Sequence, residues 1–390
     1  MRGSDVVQKS VTVGNLQIKL TAAVQASISA LHDEFSVSPA QLKDYRFTHV
    51  QKQKLSEEEK KRKIFETAYE PSLEWWTSDQ EAYAKSKDDC LAAGYPEQIT
   101  PASLWDGHEL MNEPERWLYK FTPEDVDVLN NAYDHFISLS LPNQEIKQST
   151  FPIPVENNLH KAFYKTSQEV KTGLGFRVLT GLPVDEGCRQ KQIIIFAGIS
   201  SYISDRRLKQ GKQNIVHLRD LTNPEEDKRP AITVKGQTSG NQVFHNDGSA
   251  GIVGLITLGV AESGGLSQLS SVAQTYNELI KTRRDIVREF AKDDWRNKQY
   301  PEGKRLWFSH KGDIISNYSR RPYFGFYEAE ANVPPFLDLD LEKGDLEYFN
   351  NHTVFHARTS SEDSEKNQRH LIRIWLDNKE EDLPEGLSEL

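Results

Sequence analysis

The sequence predicts an α+β protein, a mainly helical first part followed by a β-rich sandwich or barrel with a few flanking helices. Three features predict it. Residues 1–150 carry charged and apolar residues at helical spacing. Pro152 and Pro154 in "STFPIPVENN" then break any helix. Beyond them lie short β-prone runs divided by Gly, Pro, Asn and Asp, with no regular strand–helix alternation. The expected division is 1–150, a helical region packed on the core, and 151–390, the β-rich domain.

Taken in order, "LSEEEKKRKIFETAYEPSLEWW" reads as an exposed charged helix that then meets apolar surface. "TPEDVDVLNNAYDHFISLSL" opens with Thr122 as an N-cap and Glu124 two residues on, followed by apolar residues at helical spacing. The β-prone runs are "GFRVLTGLP", "QIIIFAGISSYI", "NIVHLRD" and "AITVKG", and the strongest is "RHLIRIWL" near the end. One helix, "SVAQTYNELIKTRRDIVREFA", interrupts them. Residues 204–242 form a long polar segment suited to a mobile cover over a site. The glycines of "TGLGFRVLTG" lack the third member of a dinucleotide fingerprint and read as a tight turn before a strand.

Composition narrows the function. The chain has 390 residues and a net charge of −10, which argues against binding a phosphate backbone. The basic stretch "SDRRLKQGK" has no interleaved aromatics for stacking on bases, so no nucleic-acid partner is expected. No apolar run approaches the roughly 20 residues that span a bilayer. The opening "MRGS" has the look of a vector-derived leader, and no secretory signal pattern follows it. Cys90 and Cys188 form no CxxC, so neither a disulfide framework nor a thiolate zinc site is expected. A cytoplasmic protein without membrane partners is the resulting expectation.

The chemistry begins at "NQVFHNDGSAG". Residues i and i+2 of a strand share a face, so His245 and Asp247 can present an imidazole and a carboxylate to one point. Alone, such a pair is an ordinary polar loop. "DLEYFNNHTVFHARTS" supplies two further imidazoles, His352 and His356. Two histidines and one carboxylate make the facial triad that leaves three positions open on iron(II). On "RHLIRIWL", Arg369, Leu371, Arg373 and Trp375 share one face. Two guanidiniums on an otherwise apolar strand face call for anions, and carboxylates suit them, unless this is an edge strand with its arginines in water. "ESGGLSQLSS" adds a tight turn at Gly264 and Gly265 and a hydroxyl donor, Ser267.

The order of these pieces resembles the taurine dioxygenase/clavaminate synthase-like family of iron(II)- and 2-oxoglutarate-dependent oxygenases, in its fungal branch. The resemblance covers roughly residues 150–378. It rests on "FHNDGSAGIVGLITLGVAESGGLSQLSSVAQTYNEL", "GDLEYFNNHTVFHAR" and "QRHLIRIWL". It implies a double-stranded β-helix, a jelly-roll core with the metal at its mouth and a helical N-terminal region beside it. It implies His245, Asp247 and His356 as the catalytic metal ligands, with His352 in a supporting role. Arg369 and Ser267 match the residues that hold the distal carboxylate of 2-oxoglutarate. Arg373 matches a position facing an acid group of the substrate, and Asn241 more loosely matches a substrate-side position. Asn246 stands where Thr is common, with its side chain expected to point away from the metal. Asp247 is present where Gly or Ala would open a halide position.

The implied cofactors are Fe(II), 2-oxoglutarate as co-substrate, and O2. The implied reaction is oxidation of an unactivated C–H of a small, carboxylate-bearing substrate, such as an amino acid or secondary-metabolite precursor. Its outcome would be hydroxylation, desaturation or an oxidative cyclisation such as aziridine formation, with release of succinate and CO2. Arg320 and Arg321, and the aromatics Tyr323, Phe324, Phe326 and Trp375, are further candidates for lining the pocket. The alternative is a cupin-like isomerase or binding module that uses a metal without O2. Two roles are open to the N-terminal region, shielding the barrel's outer face or building a homodimer contact.

Overall fold

The computed structural model describes residues 90–184, 188–221, 235–248, 250–297, 300–324, 336–378, 383–384 and 387, together with Ser10–Val13, Leu16–Lys19 and Leu73–Ser86. Two compact units divide the chain. The first, residues 1–64 and 68–86, holds an antiparallel pair of strands, Ser10–Val13 with Leu16–Lys19, and the helix Leu73–Ser86. Most of the charged segment 55–76 lies outside the described residues.

The second unit, residues 65–67 and 87–390, carries two main sheets. Besides a short pair, Ser263–Gly264 with Ser361–Glu362, its strands are β1 (Leu118–Lys120), β2 (Phe176–Thr180), β3 (Arg207–Leu208), β4 (Ile215–Leu218), β5 (Gln242–His245), β6 (Ile252–Gly259), β7 (Ser267–Ser271), β8 (Trp307–His310), β9 (Asp313–Ser316), β10 (Leu337–Leu339), β11 (Leu346–Asn350), β12 (Val354–Arg358) and β13 (His370–Leu376). A seven-stranded sheet runs β1-β2-β11-β6-β13-β3, with β4 also on β13, and a four-stranded sheet runs β10-β7-β12-β5. Between β1 and β2 the pairing is parallel; the other pairs are antiparallel. This is the jelly-roll core with flanking helices that the family resemblance implies, within the sandwich or barrel that the strand pattern predicts.

Alternation along the strands builds the layers. On β6 and β13, Val253, Leu255 and Leu371 turn inward to meet Leu269, Leu337 and Val354 of the smaller sheet. Their neighbours Ile252, Ile256, Ile372 and Ile374 turn outward, onto a helical layer. That layer is α1 (Pro123–Ser138), α2 (Asn158–Thr172) and α3 (Arg189–Ile203). A third cluster covers the smaller sheet with α4 (Val272–Thr282), α5 (Arg284–Phe290) and the β8–β9 hairpin. Among the described residues no helix is long and apolar enough to cross a membrane.

Several local expectations are corrected. "QIIIFAGISSYI" is not a strand but most of α3, with Ile194, Ile195, Phe196, Ala197, Gly198 and Ile199 all buried. A helix enclosed on nearly every side loses its polar face, and its sequence then reads like a buried strand. On α1 the capping box closes at Asp125 rather than Glu124: Asp125 N–H donates to Thr122 Oγ1 at 3.1 Å, and Thr122 N–H to Asp125 Oδ2 at 2.9 Å. The single helix expected over 271–291 is two, broken at Arg283, whose ψ of 66° is non-helical. Of "AITVKG", residues 231–234 lie outside the described residues and a 3-10 turn, Lys235–Gln237, follows. The expected cover over 204–242 is described in part, and there β3 and β4 are paired with β13.

Candidate active site

Two histidines meet because two strands are in register. β5 and β12 pair with His245 opposite His356, and the ring centroids lie 4.1 Å apart. Asp247 follows two residues beyond His245, just past the strand end, and its Oδ1 faces both imidazoles. It stands 3.6 Å from His245 Nε2 and 3.9 Å from His356 Nε2. Those gaps are too long for hydrogen bonds. They approach the roughly 3 Å between adjacent ligands of one ion held at about 2.1 Å. The three donor atoms all lie within 4.8 Å of one another, so the donor set fits a ferrous ion in number and type.

Supporting bonds fix these side chains. His245 Nδ1 is 2.8 Å from the Val243 carbonyl, which only accepts, so Nδ1 carries the proton and Nε2 keeps a lone pair able to bind a metal. Asn351 clamps the turn: its Oδ1 accepts from Asp247 N–H at 2.7 Å, and its Nδ2 donates to the carbonyls of Asp247 and Ala250 at 2.7 and 2.8 Å. Asn246 points away from the imidazoles. Its Nδ2 donates to Asn351 O, and its Oδ1 accepts from Ser316 Oγ and Tyr318 N–H. The other oxygen of Asp247, Oδ2, accepts from Arg373 Nη1 at 2.9 Å and from Trp375 Nε1 at 2.8 Å.

Electrostatics holds the set in its ligating form. Burial alone raises the proton affinity of Asp247, but Arg373, the histidine contacts and their fields outweigh it and hold the carboxyl well below its usual range. Burial, and then the neighbouring His245, push His356 well below the ordinary histidine value, which leaves a neutral imidazole.

A cavity of about 520 Å³ opens beside the triad and is lined by His356, Arg373, Ser267, Arg369, Arg358 and Thr257 among others. Gly264 and Gly265 adopt φ of 68° and 78°, the left-handed turn expected before Ser267. Arg369 and Arg373 lie on the inward face of β13 and its approach, as the alternation predicts. Arg373, besides its bond to Asp247, donates through Nε to Gln210 Oε1 at 2.7 Å. Asn241 is half-buried and immediately precedes β5. His352 is buried in the turn before β12 and is not among the converging donors; its backbone N–H bonds to Asn350 Oδ1.

Two participants escape sequence reasoning. Trp375 is expected only as a pocket wall, yet its indole N–H binds Asp247. Glu347 is not singled out at all. It lies on β11, is 0% exposed, and both its oxygens lie within 2.9–3.1 Å of Ser267 Oγ. Its one signal is an acid between Leu346 and Tyr348 on the same side of the strand as the inward-facing Phe349.

Comparison with known proteins identifies the family. The model of the family described as taurine catabolism dioxygenase TauD, TfdA family, matches residues 138–336, just over half the chain. Taurine hydroxylase-like protein SAT17 of Stachybotrys chartarum is 28% identical over 326 residues, covering 75% of this chain and 83% of that protein. The non-heme iron oxygenase OrfP, in complex with Fe and alpha-ketoglutaric acid, superposes with a TM-score of 0.50 at 11% identity, over 66% of this chain and 93% of that one. OrfP with Fe, succinate and (3S)-hydroxy-L-Arg gives a TM-score of 0.50 at 10% identity, over 67% and 94%. These two structures share the fold. The family match sets aside the cupin-like alternative that does without O2. The chain belongs to the TauD, TfdA family and is an Fe(II)/2-oxoglutarate-dependent oxygenase.

Proposed function

We propose that His245, Asp247 and His356 hold the iron, that Ser267 and Arg369 hold the distal carboxylate of 2-oxoglutarate, and that the substrate is a small carboxylate-bearing molecule such as an amino acid. The observation that carries this reading is the convergence of two imidazoles and one carboxylate at one end of a cavity whose wall also bears Arg369 and Ser267. Iron(II) with 2-oxoglutarate and O2 supplies an oxidant able to take hydrogen from an unactivated C–H, with release of succinate and CO2.

The chain's own residues bind, orient and exclude water. Asn351, Trp375 and Arg373 keep Asp247 aimed at the histidines, so the ligand set is preorganised. Arg373 commits Nη1 to Asp247 and Nε to Gln210, while among the described residues its Nη2 makes no bond. That nitrogen supports an acid group on the substrate, held close to the metal; Asn241, immediately before β5, is the second proposed substrate-side residue. OrfP holds (3S)-hydroxy-L-Arg within this fold, a ligand of amino-acid size. Hydroxylation, desaturation and oxidative cyclisation, aziridine formation included, share the first hydrogen abstraction. They differ in what the pocket lets the substrate do next. In this reading residues 151–390 form the catalytic domain.

The test is a screen of amino acids and other small acids for succinate formed only when iron(II), 2-oxoglutarate and substrate are present together. His356→Ala is expected to abolish that succinate while circular dichroism shows an intact fold. Full turnover by the variant would refute the ligand assignment.

A further inference from the structure

The hydroxyl given above to the co-substrate is already engaged. Ser267 Oγ donates to Glu347, at 2.9 Å from one oxygen and 3.1 Å from the other, and a hydroxyl has one proton to give. Glu347 is wholly buried. The charged groups acting on it are few. Arg369 attracts it from the approach to β13, and Arg358 on β12 and Asp363 before β13 act on that guanidinium in turn. Ser267 faces it from β7. Its register partners on the adjoining strands are Val178 of β2 and Leu255 of β6, both apolar and without charge.

A co-substrate carboxylate set against Arg369 and Ser267 would bring a second negative charge into this pocket. A second carboxylate beside Glu347 disfavours its ionised form, and of the guanidiniums in the cavity wall it is Arg369 that acts on Glu347. We infer that Glu347 is a proton-carrying positioning residue of the co-substrate pocket: on arrival of the 2-oxoglutarate carboxylate it takes a proton from solvent. Its new O–H donates to Ser267 Oγ, and Ser267 turns its own proton to the co-substrate. The only bond formed within the protein is that O–H, and the proton returns to solvent when the anion leaves. The inference rests on the proposed placement of 2-oxoglutarate at Arg369 and Ser267. Burial already pushes the Glu347 carboxyl up to about 7, despite the opposing pull of Ser267 and Arg369, so the proton is within reach near neutrality.

Calorimetry tests this without turnover. The full chain, loaded with Mn(II) under nitrogen, is titrated with 2-oxoglutarate at pH 8 in two buffers of different ionisation heat. Uptake of about one proton per 2-oxoglutarate is expected, with affinity falling by up to about tenfold per pH unit above 7. Glu347→Gln keeps a donor at that place and is expected to bind with no proton uptake and a flat pH profile. Wild-type binding without proton uptake overturns the inference whether or not the variant folds, and equal uptake by wild type and variant overturns it too. Binding that still depends on Arg369 but exchanges no proton leaves the proposed site standing and removes Glu347 from it. Absence of 2-oxoglutarate binding in the wild type removes both.

Discussion

Trp375 donates its indole N–H to Oδ2 of Asp247 at 2.8 Å, on the side of the carboxylate turned away from the two histidines. One oxygen is thereby committed to the protein, and the other is left for the iron in the proposed ligand set. Arg373, stacked 5.1 Å from the indole ring, binds the same Oδ2. Trp375→Phe keeps the ring and removes one donor from a buried carboxylate. Outer partners of this kind are worth about 10–100-fold in metal affinity. Titration with Fe(II) or Co(II) is expected to show that loss, with 2-oxoglutarate affinity of the metal-saturated protein nearly unchanged. Unaltered metal affinity would show that Arg373 alone suffices.

Arg369 is expected to dominate co-substrate recognition. Arg369→Ala removes the guanidinium proposed to pair with the anion and leaves Glu347 without the countercharge that acts on it. Losing one partner of a buried pair costs about 3–5 kcal/mol, so the KM for 2-oxoglutarate should rise by roughly 10²–10⁴. A KM within a few-fold of wild type would place the anion elsewhere.

What the sequence reveals here follows from what is local. His245 and Asp247 are two residues apart, and Arg369 and Arg373 share one strand face, so period-two alternation is enough to aim them. That His356 and not His352 faces the pair depends on register between β5 and β12, which residue spacing does not contain; the family resemblance supplied it. Glu347 stayed hidden because its meaning lies in Ser267, eighty positions away in the chain and on the opposite sheet. The α3 segment reads as a strand for a different reason. Its apolar residues face α1, α2 and the sheet at once, and periodicity fades when every face is buried.

Close packing of α3 makes a stability prediction. A Cβ at Gly198 would lie 2.5–2.6 Å from the ring carbons of Phe151, itself fully buried. Gly198→Ala improves helix propensity by about 1 kcal/mol. Overpacking against an aromatic ring with no room to move costs about 1–3 kcal/mol. Net destabilisation is expected, read as a lower denaturant midpoint, and Phe151→Leu in the same chain should recover part of it. A Gly198→Ala variant more stable than wild type would mean that the ring shifts freely.

Acid stability provides the last prediction. His370 is buried on the outward side of β13, with Nε2 at 2.9 Å from His217 Nδ1 and Nδ1 against the Arg189 guanidinium. Burial, then Arg189, His217 and Arg219, push its value down to about 4. His217 is lowered for similar reasons, burial first and then the two arginines. Between about 4 and the ordinary histidine value near 6.5, the unfolded chain binds a proton at His370 that the folded chain does not. Stability therefore rises with pH across that window and is lost on acidification, by about 2–3 kcal/mol from this one group at its lower end. His370→Gln, which keeps a polar side chain but cannot be charged, should flatten that part of the Tm-against-pH curve relative to wild type. Parallel curves from pH 7 to pH 4 would show that His370 takes up its proton in the folded protein as readily as in the unfolded one.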